Sequence, residues 1–344
     1  PPPGSQWTER VIPTLFQAYM SDGGKHGRTF YWPPTQEMIF AGGDWRTEQL
    51  NNGNGVGSEV WALKVSTGVW RQLHPFCPPA GAMAPARPDN VVWIPDPTRN
   101  RAIMAPGYYF GVLLAEQECP GPQYVHDSIA FNFGTGKWGP SNIPEPFDGW
   151  GGDNHGLFGV YDPTTDQLIR PRWSGGWGFQ IEKFSFTTGM WTYWFVYSET
   201  LPVRDFYTVY RTQPAHDAQN GILYMADRNR RVLYVLNYRA ETVSEVPMPP
   251  QWPAEEPTGG IEAATSVFDS VNRRALILGR TEHGTSDLAG IAIYDPLTGT
   301  MTWEPAPLGI TGSVAGFDVA SGQMVLIGKR ATPSAYYLYR GAAR

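Results

Sequence analysis

Short alternating apolar runs recur along the chain, and each ends in the same turn signal. Val60-Trp61-Ala62-Leu63-Lys64-Val65 leads into Ser66-Thr67-Gly68-Val69-Trp70. The signal returns as Gly134-Thr135-Gly136-Lys137-Trp138, as Thr187-Thr188-Gly189-Met190-Trp191, and as Leu297-Thr298-Gly299-Thr300-Met301 behind Ile291-Ala292-Ile293-Tyr294-Asp295. Ala240-Glu241-Thr242-Val243 is a weaker copy. A two-residue period predicts a strand with one buried face. Thr-Gly predicts a tight turn in which Gly supplies the positive φ, followed by a second strand.

A second piece lies upstream in each unit: an apolar strand, a turn opened by Asp or Pro, and another apolar strand. Val91-Val92-Trp93-Ile94-Pro95-Asp96-Pro97 leads to Ala102-Ile103-Met104, and Gly159-Val160-Tyr161-Asp162-Pro163 leads to Leu168-Ile169. Val267-Phe268-Asp269 and Gly316-Phe317-Asp318 precede similar runs, and His216-Asp217 and Trp32-Pro33-Pro34 fill the same place. Asp closes such a turn through its carboxylate, and Pro presets φ. Each unit therefore holds four strands over roughly 50 residues, the length of a propeller blade. The units span approximately 26–75, 89–143, 155–197, 207–248, 264–307 and 313–340. The last stops at Ala335-Tyr336-Tyr337-Leu338-Tyr339-Arg340, one strand short. Gly4-Ser5-Gln6-Trp7-Thr8-Glu9-Arg10-Val11-Ile12-Pro13 resembles Gly68-Val69-Trp70-Arg71-Gln72-Leu73-His74-Pro75 and can supply it. The expectation is a single all-β domain over 1–344, a six-bladed β-propeller with four antiparallel strands per blade. Residues 1–13 form its closing strand and cover an exposed sheet edge.

Met38-Ile39-Phe40-Ala41-Gly42-Gly43-Asp44 resembles the apolar-strand, double-Gly signature of the kelch family. Ala62-Leu63-Lys64-Val65-Ser66-Thr67-Gly68-Val69-Trp70 and Ile293-Tyr294-Asp295-Pro296-Leu297-Thr298-Gly299 resemble its downstream part. The resemblance covers nearly the whole chain, with single Gly residues (Gly107, Gly279, Gly328) where other units would carry the pair. It implies the architecture of the galactose-oxidase central domain without its copper site.

Composition agrees. The chain has 344 residues, 39 Gly, 32 Pro, 14% aromatic and 17% charged residues, a balance that suits many short strands and turns. A net charge of −6 argues against nucleic-acid binding. No apolar stretch is long enough for membrane insertion. The start at Pro1-Pro2-Pro3 fits either a processed end or removal of an initiator Met. An extracellular or virion-associated setting is favoured over a cytoplasmic one.

Connections before the first strand and between the second and third strands share one face of such a fold, and here they are long. They carry the candidate binding residues Trp45, Arg46, Tyr108, Tyr109, Trp150, Trp173, Trp177 and His283. Long loops on a rigid scaffold are where recognition groups sit. His26, Asp89, His155, Arg211 and Glu262 are expected at the channel mouth, where a polar, solvated lining outweighs a metal or catalytic reading. Cys77 and Cys119 fall on the same face. A disulfide and two free thiols are both open readings. Trp7, Trp70, Trp138 and Trp191 share one blade position and are expected in packing. Trp252 lies outside that register and joins the candidates for exposed stacking. The cluster Arg228, Arg230 and Arg231 is expected in a solvated turn.

No Cys/His spacing fits a structural metal, no Gly-x-Ser-x-Gly elbow occurs, and no phosphate loop is present. No catalytic residue, metal or cofactor is therefore assigned. The expected function is a non-catalytic binding or structural propeller that presents an aromatic, loop-rich face to a protein or glycan partner. A component of a virion or other large particle is included. A secreted carbohydrate-active enzyme with its site at the channel mouth is the alternative.

Overall fold

The computed structural model describes residues 6–14, 28–41, 59–75, 82–85, 92–105, 123–125, 128–144, 159–174, 178–196, 213–227, 230–252, 265–280, 288–307, 314–327 and 335–342. β1 (Gln6–Val11) comes first. Blade one holds β2 (Arg28–Trp32), β3 (Glu37–Ala41), β4 (Val60–Lys64) and β5 (Val69–His74). β6 (Met83–Pro85) precedes blade two, which holds β7 (Val92–Asp96), β8 (Arg101–Ala105), β10 (Ile129–Asn132) and β11 (Lys137–Pro140), with β9 (Gln123–Val125) between β8 and β10. Blade three holds β12 (Val160–Asp162), β13 (Gln167–Ser174), β14 (Gly178–Ser185) and β15 (Met190–Phe195). Blade four holds β16 (Ala215–Asp217), β17 (Ile222–Asp227), β18 (Val232–Asn237) and β19 (Thr242–Pro247). Blade five holds β20 (Ser266–Asp269), β21 (Arg274–Arg280), β22 (Leu288–Asp295) and β23 (Thr300–Pro305). Blade six holds β24 (Val314–Asp318), β25 (Gln323–Ile327) and β26 (Ala335–Arg340).

The strands of each blade are a to d in chain order. In blade six the order is β24-β25-β26-β1, so strand d comes from the other end of the chain. β1 pairs antiparallel with β26 from Gln6↔Arg340 through Trp7↔Tyr339 to Val11↔Ala335. The fold is an all-β six-bladed β-propeller whose last blade is completed by the N-terminal strand.

The turns explain why the repeat is so regular. Every a–b turn has a positive-φ residue four places after the end of strand a: Gln36, Asn100, Asp166, Gly221, Arg273 and Gly322. In five of them the last residue of strand a is a buried Asp, namely Asp96, Asp162, Asp217, Asp269 and Asp318. These carboxylates accept from turn amides, as Asp162 does from Thr164 N at 2.9 Å and Asp269 from Asn272 N at 2.8 Å. The c–d turns put Gly68, Gly136, Gly189 and Gly299 at positive φ, where a Cβ would be strained. Asn132, Ser185, Asn237 and Asp295 cap these turns with side-chain oxygens. Blade six has no covalent c–d turn. There Arg340, at the corresponding position, donates instead to the Ser321 carbonyl of its own a–b turn at 3.0 Å.

Blade four places Glu241 at φ 55 where the other c–d turns use Gly. Removing that Cβ strain outweighs the extra freedom gained by the unfolded chain. Glu241→Gly is expected to raise stability by about 0.5–1 kcal/mol. A higher urea midpoint at unchanged slope is the expected measurement, and a lower midpoint would contradict it.

The chain divides into two compact units: residues 1–12, 171–181 and 193–344, and residues 13–170 and 182–192. Within the second, blades one and two share an apolar cluster built from Trp32, Ile39 and Val60 on one side and Trp93, Met104 and Phe131 on the other. Within the first, Tyr224 and Leu233 of blade four meet Phe268 and Ile277 of blade five. Leu276 and Ile291 of blade five meet Met324 and Leu326 of blade six. Alternate residues of strand b thus face the preceding blade, and the residues between them face the next. The recurrent tryptophans of strand d pack on strand b or c. Ring centroids lie 4.9 Å apart for Trp7–Tyr339, 5.2 Å for Trp70–Phe40, 5.3 Å for Trp138–Phe131 and 5.2 Å for Trp191–Phe184.

Candidate functional site

Antiparallel strands put the a–b and c–d turns at one edge of each blade and the b–c and d–a connections at the other. The first edge is tight and binds most of its charged side chains to each other or to turn amides. Arg99 in blade two donates to both carboxylate oxygens of Asp166 in blade three, at 2.9 and 2.7 Å. Its guanidinium lies 3.7 Å from the centre of the Phe186 ring. Tyr161 donates to Asp166 at 2.7 Å and lies 2.9 Å from the Thr98 hydroxyl. The bonds from Arg99, with a smaller effect from Tyr161, hold the Asp166 carboxyl below the usual range. The same hydrogen bond raises Arg99. In the other unit Arg273 of blade five donates to Asp217 of blade four at 2.7 Å. Bidentate Arg–carboxylate pairing makes such contacts directional as well as attractive. These aspartates are turn closures and inter-blade fasteners.

The opposite edge carries the longer connections, with residues 42–59 between β3 and β4, 106–128 between β8 and β10, and 281–287 between β21 and β22. Two of its segments are tied directly to each other. β6, in the connection into blade two, pairs in parallel with β9 in the b–c connection of that blade, Met83↔Gln123 through Pro85↔Val125.

In blade four Arg230 and Arg231 lie in the expected turn, part-exposed, and close this edge with hydrogen bonds. Arg230 donates to Glu245 at 3.2 Å and to the Tyr234 hydroxyl at 2.8 Å. Arg231 donates to the carbonyls of Pro250 and Trp252 at 3.0 and 2.8 Å. Arg228 lies outside the described residues. The expectation for Trp252 is corrected: it is 2% exposed, packed in the cluster of blades four and five, with its ring edge-on to Trp303 at 6.2 Å. A fastened carbonyl run at 249–252 turns this indole inward, so it offers no stacking surface.

Gln213, which the sequence reading missed, joins three blades at this edge. Its backbone bridges Thr265 beside blade five, and its side chain donates to the Ala315 carbonyl of blade six at 3.0 Å. No local sequence signal marks it.

Blade three holds the second missed feature. Arg170 and Glu182 are 1% and 0% exposed and 3.4 Å apart. Arg172 and Gln180, two places along the same strands, are also buried. Counted from the turns, Arg170 occupies the position of Met104, Met225, Ile277 and Leu326. β12 pairs only with Gln167–Ile169, so the β13–β14 hairpin runs on past the end of strand a. Pro171 suits that stretch because it has no amide to leave unpaired.

Of the sequence-selected residues, Trp45, Arg46, Tyr108, Tyr109, Trp150, Trp177 and His283 lie outside the described residues. So do His26, Asp89, His155, Arg211 and Glu262 of the channel mouth, and Cys77 and Cys119. Trp173 has its backbone in β13, two positions past Pro171. Among the described residues, no group of three or more His, Cys, Asp or Glu side chains is placed to hold a metal ion. No protein-family model matches the chain, and no curated protein matches it.

Proposed function

We propose that the protein is a kelch-type propeller that acts as a non-catalytic binding or structural module. The edge opposite the Asp turns meets a protein or glycan partner. The observation that carries this reading is the difference between the two edges. One is made of short turns whose buried aspartates accept from turn amides. The other carries long connections rich in Trp, Tyr and Arg on the same scaffold. Aromatic and Arg side chains contribute most to contact energy in protein interfaces, and aromatic faces stack on sugars. The kelch assignment is supported by the placing of Met38–Ala41 in strand b and of Ala62–Trp70 across the c–d turn. A building block of a virion or other large particle is one form of this role.

The test is a binding screen against immobilised glycans and candidate protein partners. Replacing Trp45, Trp173 and Trp177 by Ala is expected to weaken binding about tenfold or more, with the melting temperature unchanged. Replacing Leu297 or Thr67 on the turn edge is expected to leave it alone. The opposite pattern would reverse the choice of face, and hydrolysis or oxidation of a captured glycan would remove the non-catalytic reading.

The β6–β9 ladder also favours the disulfide over two free thiols. Cys77 precedes β6 and Cys119 precedes β9, so both enter the ladder from the same end. Alkylation of denatured protein is expected to add mass at both cysteines only after reduction. Full labelling without reductant would establish free thiols.

A further inference from the structure

We infer that the junction between blades two and three is a seam that opens sub-globally, before the junctions built from apolar side chains. This goes beyond the binding role and does not depend on it.

The other described junctions are apolar where strand b of the later blade meets its neighbour. Ala102 and Met104 fill that place in blade two, Ala275 and Ile277 in blade five, and Met324 and Leu326 in blade six. Blade three offers Leu168 and then Arg170, with the Glu182 carboxylate across from it. By the alternation seen in blades two, five and six, the positions of these two side chains are the ones that face the preceding blade. At the turn edge the same two blades are fastened by Arg99–Asp166, Thr98–Tyr161 and the Arg99–Phe186 stack. On the outer side Trp191 donates to the Pro144 carbonyl at 2.9 Å.

Apolar contact is non-directional and weakens gradually as surfaces slide. Buried ion pairs behave otherwise. They offset their desolvation only in good geometry, and water competes for each partner as soon as the surfaces part. A junction faced by such a pair is either closed over it or hydrated. Its half-exposed fastener, Arg99–Asp166, is also the part that salt screens.

Native-state hydrogen exchange on the full chain tests this. Amides of β12, β13 and β14 are expected to exchange through a lower-energy opening than those of β17, β18, β21 and β22. Raising sodium chloride from 0.05 to about 1 M is expected to speed the first group roughly fivefold and the second, where Arg273–Asp217 is backed by apolar contact, less than twofold. Asp166→Asn is expected to speed the first group about tenfold. The pair Arg170→Met with Glu182→Ile copies Met104 and Ile129 of blade two. It is expected to slow the opening and to keep the protein folded. One common exchange rate for all blades, or an equal salt response everywhere, would overturn the inference. The salt series on the unaltered chain decides the matter if either variant fails to fold.

Discussion

A chain lacking residues 1–13 is expected to melt about 10 °C or more below the full chain, or to aggregate on expression. β1 supplies the whole outer row of pairing to β26, from Gln6↔Arg340 to Val11↔Ala335. Without it, the backbone of β26 becomes an open edge carrying Tyr336, Tyr337 and Tyr339, a template for pairing with other chains. The packing loss adds to this. Trp7 rests on Tyr339, and Ile12 is 1% exposed. Trp7 is half-buried, so truncating it costs less than the ~3–5 kcal/mol of a fully buried aromatic, yet still a large share of a total stability of about 5–15 kcal/mol. Trp7→Ala should show part of the loss while the backbone pairing remains. Scanning fluorimetry with size-exclusion chromatography reads both outcomes. A truncated chain that stays monomeric with an unshifted melting point would mean that strand d of blade six is dispensable.

The parts of this fold that could be read in the sequence are those set by neighbouring residues. An Asp closing its own turn and a Gly at a left-handed position act over about five residues, so five Asp turns and four Thr-Gly turns stand out in the string. Strand order followed from them, and so did the missing strand, because Trp7 repeats the pattern around Trp70. What escaped was decided by distant contacts. Trp252 looks like a loop aromatic until Arg231, 21 residues earlier, holds its carbonyl and turns the indole inward. Gln213 gains its meaning only from Ala315, 102 residues away. Arg170 is a different case. Lining up strand b of each blade shows a charge in a column of Met, Ile, Leu and Phe, so its oddity was visible. Its burial and its partner were not, since polar residues in a strand usually mark the solvent face.

Tyr339→Phe is expected to cost about 2–3 kcal/mol, a large effect for the loss of one oxygen. Tyr339 is 1% exposed in β26, and its hydroxyl donates to Glu304 Oε2 in β23 of blade five at 2.7 Å. Glu304 is itself 2% exposed, and among the described residues its other oxygen meets no donor. Burial, and then the bond to Glu304, push the Tyr339 hydroxyl far above the ordinary tyrosine range, so it remains a donor at any working pH. Phenylalanine keeps the ring under Trp7 and removes only that donor. The carboxylate is then left inside the apolar cluster shared by blades five and six. Leaving a buried polar group unsatisfied costs more than the hydrogen bond contributed, and most of all for a charge. Removing both partners should therefore cost less than removing one. Glu304→Leu combined with Tyr339→Phe is expected to be closer to the unaltered protein than Tyr339→Phe alone. Urea midpoints for the two single variants and the double variant measure the coupling. Additive losses would show that the two side chains act independently and that this bond does not join blade six to blade five.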